Sequence, residues 1–451
     1  MRRLLSAYIN QGLTLNMTYQ APKDLMEVMQ QIQYEEALTA DDPRYVETQE
    51  ARGSQQTYQR LAKKFGFNPA SGVFMPPANV HLLLFGHVGS GKTTELRQYA
   101  SQLNQTKKYY VVEVDVMSKL DRNNLQYSET MLAMAERLAE QLTSDGYTVT
   151  EAALQPVIDW FSQVEHRKEE SNELSASITG EVSLQGGLPG LFKLLSKITS
   201  TAKTGSSRKT AWREEVRNRF SQLADAFNHL LREAEQALKQ QGRAERIVFL
   251  LDGTDKMRSE DTERFFVQDA EQLLAIETFV IYTAPLYLKY QGNLVGKLQD
   301  IVLPMIKLQE RDNSDCALGL SVMRELLIRR VDPSLFTDEA VITELVKKSG
   351  GHPREMLRLL QLCCEFADER IGMDDLKKAT YQLASDYRRF LTAEDYQLLV
   401  QIDAESRHEG TSAQIQNLLY KLALMEYNDG SWRRSHPVVR LLDGYTAASA
   451  G

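Results

Sequence analysis

The chain has 451 residues, of which 42% are hydrophobic and 25% are charged, as in an ordinary soluble globular protein with room for about three domains. Its net charge of −8 excludes an overall field that attracts nucleic acid. Three cysteines (Cys316, Cys363 and Cys364) lack a disulfide framework and zinc-ligand spacing. Without a signal peptide or an apolar run near the roughly 18–20 residues that span a bilayer, a cytoplasmic protein is expected.

Residues 1–78 are predicted to form an N-terminal helical extension and linker. Apolar residues recur at helical spacing from Leu25 to Ile32. A polar stretch follows, and it includes Asp41, Arg52 and Gly53. The pair Pro76-Pro77 closes the segment.

The run HLLLFGHVGSGKTTEL at residues 81–96 matches the phosphate-binding P-loop, G-x-x-x-x-G-K-[ST]. Glycines let successive backbone N–H groups surround a polyphosphate, and a helix beginning at Thr94 offers its positive end to the anion. Lys92 is predicted to reach the β- and γ-phosphates, and Thr93 to hold Mg²⁺. The predicted nucleotide contacts are Gly86, Gly89, Ser90, Gly91, Lys92, Thr93 and Thr94.

Three further runs are typical of buried strands: YYVVEVDV (109–116), RIVFLLD (246–252) and TFVIYTAP (278–285). Strands that alternate with helices predict an α/β doubly wound parallel sheet, with the ligand at the carboxyl ends of the strands. We assign this P-loop core to residues 79–310.

Two carboxylates and a hydroxyl are candidates for the chemistry of phosphate transfer. Asp252 ends a buried run, where P-loop enzymes place the aspartate of the Mg²⁺ shell. Gly253 stands where a catalytic glutamate would be usual, so Asp255 is the candidate that orients or deprotonates the attacking water. Thr283 is a candidate contact of the γ-phosphate or that water. The alternatives are a loop-capping aspartate, a structural turn residue and a satisfied strand-end hydroxyl, respectively.

The spacing between Thr93 and Asp252 is longer than two βαβ steps require, and it predicts an insertion at about residues 129–240. Helical patterns begin this insertion, and small and apolar residues alternate from residue 175. A basic stretch covers residues 193–219. A solvated helix face, a protein contact in an oligomer and nucleic-acid binding all remain open for it, and a membrane surface is favoured least.

Residues 311–385 carry four helical patterns and no strand signal, which predicts an all-α lid. Between two of these helices, glycines end one helix and Pro353 suits the first turn of the next. Separating the two helices is by itself a sufficient explanation for these glycines and Pro353. The functional alternative places Arg354 on the γ-phosphate and Pro353 against the base or sugar. A neighbouring subunit's arginine would complete such a site, and the sequence does not choose among Arg311, Arg329 and Arg330.

Residues 386–451 are predicted to form a winged helix-turn-helix. Two helical stretches precede two strand-like runs that are separated by Asn428-Asp429-Gly430, a strong hairpin signal. Arg433 and Arg434 on this hairpin could reach a DNA groove. The presumed recognition helix has only Lys421 as a basic residue, so a packing or partner module is favoured over a DNA reader.

Together these residues resemble the AAA+/STAND class of P-loop ATPases over about residues 40–442. The resemblance rests on GHVGSGKT, LLDGTDK, YTAP, GGHPRE and the SHPVVR tail. The Walker B region is similar to that of NACHT and KAP-type NTPases, and Gly351–Arg354 is similar to the sensor-2 element of origin-recognition ATPases. The resemblance implies that Asp252 is the Mg²⁺ aspartate, Asp255 the catalytic acid, Thr283 sensor 1 and Arg354 sensor 2.

The resemblance also has two departures. Ala284 follows Thr283 where STAND proteins often carry an arginine, and no long effector or repeat domain fits after Leu442. The class therefore implies an effector or sensor on a separate protein. No guanine-binding signature is present, so ATP and ADP with Mg²⁺ are the expected ligands.

Three functions follow as hypotheses. The first is an ATP-hydrolysing molecular switch that forms a homo-oligomer or changes conformation with nucleotide, by resemblance in bacterial antiviral defence or signalling. The second is a DNA-binding ATPase similar to origin-recognition or transposition helper proteins, which leaves nucleic acid open as a partner. The third is a small-molecule phosphotransferase, although nothing in the sequence resembles an acceptor site.

Overall fold

A five-stranded parallel β-sheet forms the centre of the protein, with the strand order β2-β3-β4-β1-β5. The computed structural model describes residues 19–53, 57–119, 127–147, 150–166, 206–290, 298–405 and 410–450. The strands are β1 (Val80–Gly86), β2 (Tyr109–Asp115), β3 (Arg246–Asp252), β4 (Phe279–Pro285) and β5 (Gln299–Val302). The predicted α/β doubly wound parallel sheet is confirmed.

Apolar side chains cover both faces of the sheet, as the continuous apolar runs predict. Every residue of β1 and β4 is buried. Successive side chains of a strand point to opposite faces, so Leu82 and Leu84 belong to one hydrophobic cluster, and Leu83 and Phe85 to the other. Helices on the two sides bury these clusters and leave the carboxyl ends of the strands as one edge.

The helices that precede and surround the sheet are α1 (Leu25–Gln31), α2 (Thr57–Lys64), α3 (Lys92–Gln105), α4 (Val116–Lys119), α5 (Tyr127–Ser144), α6 (Glu151–His166), α7 (Ser206–Gln240), α8 (Ser259–Glu263) and α9 (Ala270–Leu274). The P-loop helix α3 begins two residues earlier than the sequence predicts, and α7 has a non-helical residue at Arg219. Among the described residues, no helix is long and apolar enough to cross a bilayer.

Part of the predicted insertion cannot be compared with the structure. The alternating run that begins at residue 175 and the run LPGLFKLLSKI lie outside the described residues. Of the basic stretch at 193–219, the helical backbone is described from Ser206 and the side chains only at its end.

A helical lid follows β5, and it contains the four helices that the sequence predicts. They are α10 (Ala317–Ile328), α11 (Glu339–Lys348), α12 (Pro353–Phe366) and α13 (Met373–Arg388). Cys363 and Cys364 are buried on α12 as free thiols, and burial raises the pKa of Cys364 to about 12. They are small core residues, as expected.

The winged-helix region contains α14 (Ala393–Ala404), α15 (Ala413–Tyr420), a β-hairpin of β6 (Leu424–Tyr427) and β7 (Trp432–Ser435), and α16 (Asp443–Ala450). The two strands pair antiparallel, with Tyr427 opposite Trp432. Asn428 and Gly430 in the turn have left-handed backbone conformations, with φ of 47° and 88°. These are the residue types that tolerate positive φ, so the predicted hairpin is confirmed.

Candidate nucleotide-binding site

The P-loop joins the end of β1 to the start of α3 through two left-handed glycines. Gly89 has φ of 87° and Gly91 has φ of 95°, which residues with a side chain rarely adopt. Within the part of the chain that the structure describes, the N–H groups of Gly89, Gly91 and Lys92 donate to no protein acceptor. Free N–H groups at a helix N-terminus favour an anion, so the loop has the donors that a polyphosphate needs.

The Lys92 side chain is folded back onto its own loop. Its Nζ donates to the carbonyl oxygens of Gly86 at 3.0 Å and His87 at 2.8 Å. It also forms an ion pair with Oδ2 of Asp255 at 2.7 Å. Only 4% of Lys92 is exposed. The ammonium group therefore has three partners within the protein.

Thr93 and Asp252 provide the oxygen pair that could hold Mg²⁺. The Thr93 hydroxyl donates to Oδ1 of Asp252 at 2.7 Å, which joins the first turn of α3 to the end of β3. A hydroxyl and a carboxylate suit Mg²⁺, which takes its other ligands from water and phosphate. Among the described residues, no group of three or more His, Cys, Asp or Glu side chains could hold a metal ion alone. Thr93 and Asp252 are thus the candidate protein oxygens for Mg²⁺ at this edge of the sheet.

Asp255 and Thr283 lie in a second hydrogen-bonded group with Lys92. The Thr283 hydroxyl donates to Oδ1 of Asp255 at 3.2 Å, and the Thr254 hydroxyl donates to the Thr283 carbonyl at 2.5 Å. Burial raises the pKa of Asp255, but the Lys92 ammonium, together with Lys256 and the Thr283 hydroxyl, outweighs burial and leaves the pKa below its usual value. Asp255 is thus an ionised carboxylate next to the P-loop lysine, and a candidate for a group that orients water needs such a charge.

One further carboxylate stands at this edge of the sheet and was not among the candidates from sequence. Asp115 ends β2 directly opposite Asp252 in the parallel register, and it is exposed. Its position follows from the pairing of β2 with β3, which the sequence does not reveal. Asp115 is a second candidate for the carboxylate that orients water.

The lid presents Arg354 to the P-loop at the start of α12. Pro353 is the first residue of this helix, and the His352 side chain caps it by accepting from the Glu355 N–H. A Cβ atom added to Gly89 would lie 2.7 Å from Nε of Arg354, so the two residues are in close contact. However, Nη2 of Arg354 donates to Glu35 at 2.7 Å. Arg354 therefore lies beside the P-loop, and its guanidinium forms an ion pair with Glu35 of the N-terminal segment.

Two histidines make contacts at the variable positions of the P-loop, and the sequence did not predict either contact. His352 of the lid contacts the Val88 carbonyl at 3.0 Å through Nε2. Nε2 of His87 accepts from the backbone N–H of Glu426 in the hairpin at 3.1 Å. The variable positions of a P-loop motif carry no signal for such contacts. The loop is therefore fastened to both the lid and the winged helix.

A narrow cavity adjoins the P-loop between the N-terminal segment and the lid. Its volume is about 80 Å³, well below the roughly 300 Å³ at which ligand pockets begin. Its walls come from the N-terminal segment, the P-loop helix and the lid, and they include Tyr34, Tyr45, Thr94, Leu326, Pro353 and Leu357. A cavity of this volume is too small to hold a nucleoside.

The structure corrects the suggested DNA contacts of the hairpin. Arg433 and Arg434 are only 4% and 5% exposed. Nε of Arg433 pairs with Glu426 at 3.0 Å, and Arg434 donates to Gln309 and to the Arg311 carbonyl. Nη1 of Arg433 also donates to the Gly410 carbonyl at 2.6 Å, so both arginines join the hairpin to other parts of the chain. They do not reach outward.

The arginines considered for a neighbouring subunit's site also make contacts within their own chain. Arg329 pairs with Glu325 and donates to the carbonyl of Tyr45. Arg330 donates to the carbonyls of Arg44 and Leu326. These two side chains hold the lid helix α10 against the N-terminal segment.

We expect acid to destabilise the nucleotide-free protein. Burial, with nearby cations, lowers the pKa of His87 and His436 to about 3 and that of His352 well below 6.5. Below about pH 6.5 the unfolded chain binds protons at these residues and the folded chain does not, so stability falls from pH 7 toward pH 3. Urea unfolding at pH 7.5 and 5.5 measures this loss.

Glutamine at position 352 is the matched variant for this measurement, since its amide can accept from Glu355 and donate to Val88 without titrating. His352→Gln should reduce the pH dependence by up to one proton, or about 1.4 kcal/mol per pH unit. Equal pH dependence in the variant and the wild type would mean that His352 is not held neutral.

The strand order, the P-loop and the helical lid define an AAA+ type of P-loop ATPase fold. No protein-family model matches the sequence, and no curated protein is significantly similar to it. The solved structures that are similar over most of both chains include the following three. Cdc6p of Pyrobaculum aerophilum has 12% identity and a TM-score of 0.35, and the match covers 91% of this chain and 97% of that one.

A Walker-type ATPase of Pyrococcus abyssi has 12% identity and a TM-score of 0.41, with 90% of this chain and 99% of that chain covered. RuvB of Thermotoga maritima has 14% identity and a TM-score of 0.35, with 91% and 98% covered. These similarities concern the fold alone.

Proposed function

We propose that this protein is an ATP-binding and ATP-hydrolysing molecular switch. Binding of ATP or ADP at the P-loop changes the positions of the lid and the winged helix. ATP and Mg²⁺ occupy the P-loop, with Lys92 on the phosphates and Thr93 and Asp252 on the metal. Asp255 orients the attacking water, Thr283 supports it, and Arg354 contacts the γ-phosphate from the lid.

The observation that supports this proposal is that the helical lid and the winged-helix hairpin both contact the P-loop. The lid contacts the Val88 carbonyl through His352, and the hairpin contacts His87 through the Glu426 N–H. Lys92 is meanwhile engaged by Asp255. Nucleotide entry must therefore loosen these contacts, and that requirement links phosphate binding to movement of the lid and hairpin.

The energy required is within reach of the groups at the site. Moving a two-state equilibrium from 1:99 to 99:1 takes about 5.5 kcal/mol of differential affinity. Each hydrogen bond to a charged group contributes about 1.5–3 kcal/mol. Two to four such contacts, from Lys92, from Mg²⁺ and from Arg354 after it leaves Glu35, suffice. ADP lacks the γ-phosphate and so loses the contact from Arg354.

Oligomerisation and a separate effector or sensor protein complete the proposal. Subunits associate in the ATP state, and hydrolysis restores the contacts of the lid and the hairpin with the P-loop. The resemblance to STAND ATPases suggests a bacterial defence or signalling system. The buried hairpin arginines favour this switch over the DNA-binding alternative, which would use them as outward contacts.

Molar mass by light scattering with ATP–Mg²⁺, with ADP–Mg²⁺ and without nucleotide tests the proposal. We expect one of the three states to differ in mass or, at equal mass, in hydrodynamic radius. Arg354→Gln is the informative variant, because it should remove the difference between ATP and ADP while both still bind. Identical mass and radius in all three conditions would contradict the switch.

A further inference from the structure

A short turn of the N-terminal segment is docked behind the P-loop. The Arg52 N–H donates to the Thr48 carbonyl at 3.0 Å, and the Gly53 N–H donates to the Glu50 carbonyl at 2.9 Å. The Lys307 N–H donates to the Ala51 carbonyl at 3.1 Å, which joins this turn to the chain that follows β5. The turn is thus a fixed part of the core.

Arg52 on this turn is only 1% exposed, and its guanidinium makes three hydrogen bonds. It donates to the Ser90 carbonyl of the P-loop at 2.8 Å, to the Pro304 carbonyl at 2.6 Å and to the Thr48 hydroxyl at 2.7 Å. These three acceptors are neutral, and Glu95 supplies the opposite charge at 4.0 Å. Of the three hydrogen bonds, the one to Ser90 reaches the P-loop backbone.

The nearest carboxylate to Arg52 is turned toward other partners. Oε1 of Glu95, on the first turn of α3, lies 4.0 Å from Nη2 of Arg52. Glu95 instead accepts from the Thr48 hydroxyl at 2.5 Å and from the Tyr45 hydroxyl at 3.4 Å. The Thr48 hydroxyl therefore lies between the two charged groups, and the guanidinium extends past it to the Ser90 carbonyl.

The contact with Ser90 controls the orientation of a peptide group. In a trans peptide, the carbonyl of one residue and the N–H of the next point in opposite directions. Holding the Ser90 carbonyl against Arg52 therefore directs the Gly91 N–H away from Arg52. Gly91 has φ of 95°, and a glycine lets such a peptide rotate at little cost. A carbonyl turned into the loop would repel a phosphate, so an external contact that prevents the rotation favours phosphate binding.

We propose that Arg52 is a positioning residue of the phosphate site, which fixes the Ser90–Gly91 peptide so that its N–H serves the phosphates. The inference rests on the proposed nucleotide function and deepens it. Arg52 touches no substrate and acts through the P-loop backbone. The guanidinium fork is needed because two carbonyls, from Ser90 and Pro304, are held by two different nitrogens.

Calorimetric titrations of the full chain with pyrophosphate and with ATP test the proposal. Arg52→Gln should weaken both ligands by about 10- to 100-fold, the loss expected for one contact of a charged group. Arg52→Lys keeps the charge without the fork and should lose about 3- to 10-fold. Pyrophosphate matters because it isolates the phosphate site. If Arg52 had a purely structural role, its replacement would lower the fraction of protein that binds ligand and the urea midpoint. The dissociation constant of the molecules that still bind would be unchanged.

Arg246→Gln is the matched control. Arg246 donates to the carbonyls of Pro77 and Ala78 and pairs with Glu235, but it begins β3 at the opposite edge of the sheet. Its loss should leave both dissociation constants unchanged. An unchanged pyrophosphate constant in Arg52→Gln overturns the proposal, and if that variant does not fold, an unchanged constant in Arg52→Lys does so. A wild-type protein that binds neither ligand would instead overturn the nucleotide function itself.

Discussion

Alanine in place of Lys92 is expected to weaken binding of ATP–Mg²⁺ by at least about 100-fold. The same change should lower the free energy of unfolding of the nucleotide-free protein by about 3–5 kcal/mol, because it leaves Asp255 as a buried carboxylate without its partner. Asp255 is only 5% exposed and its carboxylate is 2.7 Å from Nζ of Lys92. Calorimetric titration measures the first effect, and urea unfolding measures the second.

The two effects separate in a double variant. Lys92→Ala combined with Asp255→Asn should recover most of the lost stability, since no buried charge remains, and recover none of the ATP binding. Lys256→Ala is the control, because this neighbouring lysine is exposed and its loss should change neither quantity appreciably. If Lys92→Ala alone is as stable as the wild type, the ion pair is absent from the nucleotide-free protein.

Asparagine in place of Asp255 should reduce ATP hydrolysis by about 100-fold or more while ATP still binds. The amide cannot accept a proton from water, which removes the proposed role of the carboxylate. ATP affinity should equal or exceed that of the wild type, since Lys92 no longer has a charged competitor within the protein. Phosphate release in a single turnover measures the chemistry, and light scattering shows whether the variant remains in its ATP state.

Asp115→Asn is the comparison that identifies the carboxylate. Asp115 lies opposite Asp252 on β2, at the same edge of the sheet as Asp255. We expect this variant to hydrolyse ATP at a rate near that of the wild type. If Asp115→Asn stops hydrolysis and Asp255→Asn does not, the water is oriented from β2 and Asp255 does not have its proposed role.

Local signals explain what the sequence could predict. The P-loop, the buried run that ends in Asp252 and the Asn428–Gly430 turn are each specified by neighbouring residues, because glycine, proline and strand-forming side chains act over a few positions. Parallel strands also end at one edge of the sheet. Thr93 and Asp252 could therefore be expected together, and the structure has their side chains in contact.

Contacts between distant segments explain what it could not predict. Arg52 stands in a polar stretch and looks like a surface residue, yet its guanidinium is buried against Pro304, 252 residues away. His87 occupies a variable P-loop position, and its partner Glu426 is 339 residues away. The engagement of Lys92 by Asp255 likewise depends on how β1 and β3 are placed in the sheet. No periodicity or motif reports such pairings.

The strand order has a consequence for how the protein is made. β1 is flanked by β4 and β5, and His81 bonds Tyr282, which is 201 residues later in the chain. At roughly 5–20 residues per second, a ribosome needs about 10–40 s to synthesise that interval. During this time the most apolar strand of the sheet has neither of its neighbours, and long-range pairing is slow in any case. Strand β1 can therefore complete its place in the sheet only after β4 and β5 have been synthesised.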